Sequence, residues 1–464
     1  MGKPSKRAAV LGAILALCLL CLSCTNSNNR PPRPTFECMG FPTLAPNLPF
    51  DVDVPDHPNV QCFAWQEFIA LNWPALAGQA GVPDRSRLAN TWGDASDTTP
   101  TVWETYKEAH EIFLPNAATP APWNRRDLMR SFATPFKADT ITRGLEARQL
   151  TLQNLPDAQG LQVLRLKSKV SPRLSQTQQA FGGTLTGQNG KLTYYSIAIN
   201  RKAFDYIVGA RLYDAAEQLG TAIDFPVGRT GLGPEPAQEG AIIVKSAWLD
   251  LTGYTPIQRL RFHTVEACLV EEDACRWTEV GLVGLHILQK TETFGQWTWA
   301  TFEQVNNAPD REEVRRGSAA AFTYNYYNPR CSAADCPPNA QTTAPNPNQV
   351  VRVTPLSEHV QRLNRQIHDQ IRAVNPDSVW QFYRLIDVQW PEAGAVRAGT
   401  APVPLEAGAP RPSQLANVTL ETFVQRRSCL DCHRSFATIA DSGGTGHSQN
   451  ADFTFLLGLA RERQ

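Results

Sequence analysis

Four apolar runs crowd into residues 240–305: GAIIVKSAWLDL, IQRLRFHTVEACLV, TEVGLVGLHILQK and QWTWATFEQV. They alternate or run apolar, with many β-branched and aromatic side chains, and so read as strands. Only TETFG separates the last two, which makes them a hairpin. Strands joined by so short a link pair antiparallel. KLTYYSIAIN before this block and SVWQFYRLIDVQWP after it add two more. The expected fold is α+β: surrounding helices and a mostly antiparallel sheet over about 190–305 and 378–390, with a small helical module at the C-terminus.

CFAWQEFIALNW places Trp65, Phe68, Ile69 and Asn72 on one helical face and stops at Pro74. TVWETYKEAHEIFL is expected as a second helix, striped by Trp103, Tyr106, His110 and Phe113. RKAFDYIVGARLYDAAEQLG reads as a third, buried through Phe204, Ile207, Val208 and Leu212 and ended by Gly220. A fourth is expected with Thr354 as N-cap and Pro355 at its first position. Its stripe is Val360, Leu363, Ile367, Ile371 and Val374.

The N-terminus reads as an export signal. MGKPSKR is basic, AAVLGAILALCLLCL is an apolar run too short for a comfortable membrane span, and Ser23-Cys24 follows. Cys24 is then the expected lipidated residue of a lipoprotein, although Cys21 and Leu22 fit that cleavage pattern imperfectly. Simple release and an uncleaved anchor are the other readings. Each delivers the chain to an oxidising compartment, the periplasm or the outer membrane. The boundaries expected are a signal at 1–23, a Pro-rich tether at 24–58, a large domain at 59–390, a linker at 391–412 and a C-terminal module at 413–464.

The full chain carries 44 basic and 44 acidic residues. Lys3, Lys6 and Arg7 are the only charges in the signal, so its removal leaves 41 against 44. That balance excludes a nucleic-acid partner held by bulk charge. Of the 11 cysteines, Cys18 and Cys21 leave with the signal and Cys24 would carry lipid. Cys38, Cys62, Cys268, Cys275, Cys331 and Cys336 fit three disulfides, and short loops favour 268–275 and 331–336, leaving 38–62.

RRSCLDCHRSF holds Cys429-x-x-Cys432-His433, the spacing that attaches one haem c covalently. Two thiolates add to the porphyrin vinyl groups, the gap puts both sulfurs on one helical turn, and His433 reaches the iron as proximal ligand. A redox CxxC, a zinc site and a plain disulfide are the competing readings. Each leaves something unexplained: the C-terminal position, the missing further ligands, or His433. NVTLETFVQRRS before the motif is expected as a short helix capped by Asn417 or Thr419. ADFTFLLGLA after it should present Phe453, Leu456, Leu457 and Ala460 on one face.

The second axial ligand is open. None of the three methionines, Met1, Met39 and Met129, lies after the motif. His286 is the favoured candidate, because Gly281 and Gly284 beside it would admit a porphyrin and Trp297 and Trp299 could wall it. His447, His263 or a methionine, and an open position are alternatives. His110 reads as a core histidine, and His359 and His368 as solvated.

GLVGLHILQKT…WTWATFEQVNN, ALNWP and CLDCH…DFTFLLGLA resemble exported bacterial proteins of the cytochrome c family. The resemblance implies covalent haem at Cys429, Cys432 and His433 and no settled substrate. Two functions follow as expectations. One is one-electron transfer with a redox protein or a small-molecule donor or acceptor. The other is a haem enzyme of peroxidase or oxidase type, with His286, Glu303 and Arg261 as candidate acid/base groups.

Overall fold

The computed structural model describes residues 42–52, 56–125, 162–165, 184–229, 239–271, 274–342, 345–392, 409–440 and 448–463. Cys24, Cys38, His447 and the three methionines lie outside them, as do the signal and most of the tether and linker.

The fold is α+β. Its sheet comprises β1 (Lys107–Glu108), β2 (Gln162–Arg165), β3 (Thr193–Ile199), β4 (Ile242–Asp250), β5 (Thr264–Glu271), β6 (Ala274–Thr291), β7 (Gln296–Gln304), β8 (Tyr383–Pro391) and β9 (Pro410–Arg411). All pairings are antiparallel except β2 on β5. β6 is the longest strand and pairs with β4, β5 and β7. The register sets Ile197, Lys245, His286 and Thr301 in one row across β3, β4, β6 and β7. The next row on that face is Ile199, Ile243, Leu288 and Trp299.

The other face carries Phe302 and Leu385 and is covered by two helices. In α1 (His57–Leu71), Phe68 stacks on Phe302 with centroids 4.4 Å apart, and Trp65 meets the same ring edge-on at 5.1 Å. In α3 (Glu358–Val374), Val360, Leu363, Ile367 and Ile371 form the buried stripe, whereas Val374, expected in it, is exposed at the helix end. Asn364 ties it down: its amide donates to Leu385 O (2.8 Å), and its oxygen accepts from Leu385 N and from the Trp65 indole. The cap is Ser357 rather than Thr354, whose hydroxyl donates to Gln425 O instead.

Three expected helices are interrupted. Residues 101–114 break into a 3-10 turn, β1 and a short helix, because Lys107 and Glu108 pair with β3. The third helix, α2 (Arg201–Gly209), is capped by Asn200 and ends where Arg211 turns left-handed (φ 56°). A separate turn, Ala215–Gln218, follows under Asp214. Residues 417–428 form turns rather than a helix. The Asn417 side chain spends its oxygen on Thr419 N and Oγ1 and its amide on β7, through Thr301 Oγ1 and Phe302 O.

The Cys331–Cys336 disulfide is present. Cys62 is disulfide-bonded, and its expected partner Cys38 lies outside the described residues. On β5 and β6 the register puts Cys268 opposite Trp277 and Cys275 opposite Val270, two positions out of direct opposition.

Candidate functional site: a histidine–cysteine cavity on the sheet

The motif residues fold as α4 (Cys429–Phe436), so Cys429 and Cys432 share one turn. One sheet residue anchors this helix. Gln389 of β8 accepts from Leu430 N (2.8 Å) and Ser428 Oγ (3.2 Å), and its own amide donates to Pro412 O (2.6 Å). The chain then returns through a small ribbon, β10 (Thr438–Ala440) with β11 (Ser448–Asn450). Asp452 and Phe453 follow, both with left-handed backbone (φ 51° and 58°). This turn is pinned to the sheet: Asp452 Oδ2 accepts from Lys290 Nζ of β6 (2.5 Å) and Phe225 N (2.7 Å), and Trp297 Nε1 donates to Asp452 O.

That turn positions His433. Its Nδ1 donates to Phe453 O at 2.5 Å, which leaves Nε2 as the ring's remaining ligating atom. The Phe455 ring lies 4.6 Å away and Trp299 6.0 Å. Burial depresses the His433 pKa to about 4 against the opposing effect of the Phe453 bond, and Lys245 and His286 push the same way as burial. The imidazole is therefore neutral at neutral pH, the form that binds iron.

Between α4, the 415–428 turns and the sheet row lies a cavity of about 890 Å³, mouth included. Cys429, Cys432 and His433 line one side, and Ile197, Ile243, Lys245, His286 and Leu288 line the sheet side. Most of the remaining lining is apolar, including Leu415, Leu420, Val424 and Leu456. A mostly apolar lining with a few convergent polar groups is the chemistry of a cofactor pocket. The structure thus brings together the motif residues and His286, the favoured distal candidate, although almost 150 residues separate them in sequence.

Three charged residues in the cavity were not read from the sequence. Glu421 Oε2 lies 3.3 Å from His286 Nε2, within ion-pair distance, although Nε2 is buried without hydrogen-bond geometry to any partner. Burial works to raise the Glu421 pKa, but His286, Lys245 and the Asn417 N–H together hold it below its usual value. Burial lowers the Lys245 pKa, with Glu421 opposing. Arg427 completes the charged lining.

Several expectations are corrected. The space beside Gly281 is filled by Phe262 and Leu251, and that beside Gly284 by Thr419 and Asn417, so the chain's own side chains use those close approaches. Of the two tryptophans, Trp299 flanks His433, whereas Trp297 turns to Phe225 (5.7 Å). His263 is not in the cavity lining: it lies 2.8 Å from Glu104 and stacks on Trp380. His368 is not solvated but bonded to Tyr383 O at 2.6 Å. Glu303 is bonded to Arg352 and to Val418 N, and Arg261 lines a different cavity, so neither joins His286. The terminal segment forms only a 3-10 turn, Leu456–Leu459, with Phe453, Leu456 and Leu457 buried.

Among the described residues, no group of three or more His, Cys, Asp or Glu side chains is arranged to hold a metal ion. No protein-family model, curated protein or solved structure matches the chain.

Proposed function

We propose that this cavity holds one covalent haem c and that the protein transfers single electrons outside the cytoplasm, as a member of the cytochrome c group that its motifs resemble. One observation carries the reading. The His433 ring is fixed through Nδ1 by a backbone carbonyl, with two cysteines one turn away lining the same apolar cavity. The residues fit the group. Cys429 and Cys432 would form the thioethers, His433 Nε2 would take the proximal position, and His286 from the sheet side would take the distal one. Lys245 and Arg427 are cations able to meet the propionates. A haem so held supplies reversible one-electron exchange at its iron. Trp299 and Phe455 pack beside the His433 ring.

A second reading is a haem enzyme, favoured by the His286–Glu421 contact at 3.3 Å with Lys245 beside it. There His286 stays paired with Glu421 as a proton-handling couple, and the second axial position is left to substrate. A redox protein or a small electron donor or acceptor is the partner in the first reading. Export, with lipid at Cys24, rests on residues outside those described. Among the described residues no helix is long and apolar enough to cross a membrane.

The test is the protein produced with an active haem-attachment system. A mass increment of one haem that disappears in Cys429→Ala/Cys432→Ala supports the site, and a colourless product of unaltered mass refutes it. Low-spin spectra in both oxidation states that become high-spin in His286→Ala support electron transfer. A high-spin wild type that binds cyanide supports the enzyme.

A further inference from the structure

A second cavity opens beyond the end of β7 and the start of β8. It encloses about 1580 Å³, mouth included. Its charged lining consists of Arg261, Arg384 and Glu313. The Nε of each arginine is buried without a hydrogen-bond partner. Glu303, directly across the strand pair from Arg384, is already engaged by Arg352 and by Val418 N. Arg261 donates through Nη2 to Asn306 (3.1 Å), and its guanidinium lies 4.4 Å over the Phe382 ring, so its Nε edge is left over. Burial lowers the pKa of both arginines. Glu303, Glu313 and Asp310 offset part of the Arg384 charge, but two buried Nε–H donors without partners in one cavity lining are an unmet demand for an acceptor.

The shape of that anion follows from the rest of the lining. Two arginines and one carboxylate sum to a single positive charge, which matches a monoanion; a phosphate dianion would leave an excess negative charge. Planar guanidinium edges match a carboxylate. Tyr254, Phe322 and Tyr324 supply aromatic surface, with Phe322 59% exposed. We propose that this cavity is a binding site for a monocarboxylate with an aromatic or cyclic apolar body, seated on Arg261 and Arg384.

The test is calorimetric titration and thermal shift of the full-length mature protein with benzoate, benzamide and inorganic phosphate. Saturable benzoate binding is expected, with benzamide at least about tenfold weaker because it lacks the charge. Arg384→Gln should lose benzoate binding while the free protein still melts in one cooperative transition, which separates a lost site from a lost fold. Arg261→Lys, which keeps the charge and loses the planar fork, is the second variant and should weaken benzoate at least about tenfold. Absence of saturable benzoate binding at millimolar concentration overturns the proposal. So does equal affinity for benzamide, competition by phosphate at equal strength, or wild-type affinity in both variants.

Discussion

His433 is held by Phe453: the ring Nδ1 donates to a carbonyl 20 residues further along the chain, at 2.5 Å. The turn that presents this carbonyl rests on Asp452, whose carboxylate is shared between Lys290 and Phe225 N. The imidazole's orientation is thus fixed by β6, on the same strand as His286.

Asp452→Ala should therefore act at a distance. It removes an acceptor from Phe225 N and one of the two carboxylates on Lys290, which keeps Asp224, for a loss of about 1–3 kcal/mol. Urea unfolding measures the loss. In haem-loaded protein, the visible spectrum should shift with it as His433 loses its register. A spectrum and midpoint equal to wild type would show that the turn does not position the histidine.

Gln389→Ala should loosen α4 from the sheet. Leu430 N–H would be left buried and unsatisfied, at a cost of about 1–3 kcal/mol. The expected signs are a lower denaturation midpoint and earlier proteolysis in the 425–440 region. Gln389→Glu, which keeps an acceptor for Leu430 N, should recover part of the loss, whereas equal damage from both variants argues against the anchoring role.

Gly284→Ala tests what the glycine is for. A Cβ there would sit 2.1 Å from Thr419 Oγ1 and 3.1 Å from Asn417 Oδ1. Overpacking of this kind costs about 1–3 kcal/mol. Gly284→Ala combined with Thr419→Ala should regain stability. If the double variant is no better than the single, the contact is not the reason for glycine.

Glu67 in α1 is buried, and both carboxylate oxygens lack a hydrogen-bond partner. Burial raises its pKa well above 4.5. A carboxyl raised on folding contributes stability below its unfolded pKa and loses it as pH rises toward the folded value. Melting temperatures of Glu67→Gln should gain on wild type steadily from about pH 4 upward. A constant difference across that range would sink the assignment.

The strands were legible because period-two patterning and the short TETFG link leave few alternatives. The stripe of α3 was legible for the same reason at period 3.6. Residues 417–428 misled because Asn417 and Thr419 look like helix caps, whereas their side chains bind a turn and β7. Lys245 and Gln389 each interrupt an apolar strand, IIVKSAW and LIDVQWP, and that interruption was the available signal. Reading it required knowing that Lys245 faces His286 across a strand pair, which is a property of register. Glu421 lay in a segment misread as helical, so its approach to His286 was out of reach.

The row Ile197–Lys245–His286–Thr301 belongs wholly to strands that precede residue 305 in the chain. Synthesis runs from the N-terminus, so this wall can pair before Cys429 has been made. The thiols reach the open half of a finished mould. Whatever they carry is then enclosed in one late docking event, the stage at which a defect in residues 389, 417 or 452 would strand the tail outside an otherwise well-built sheet.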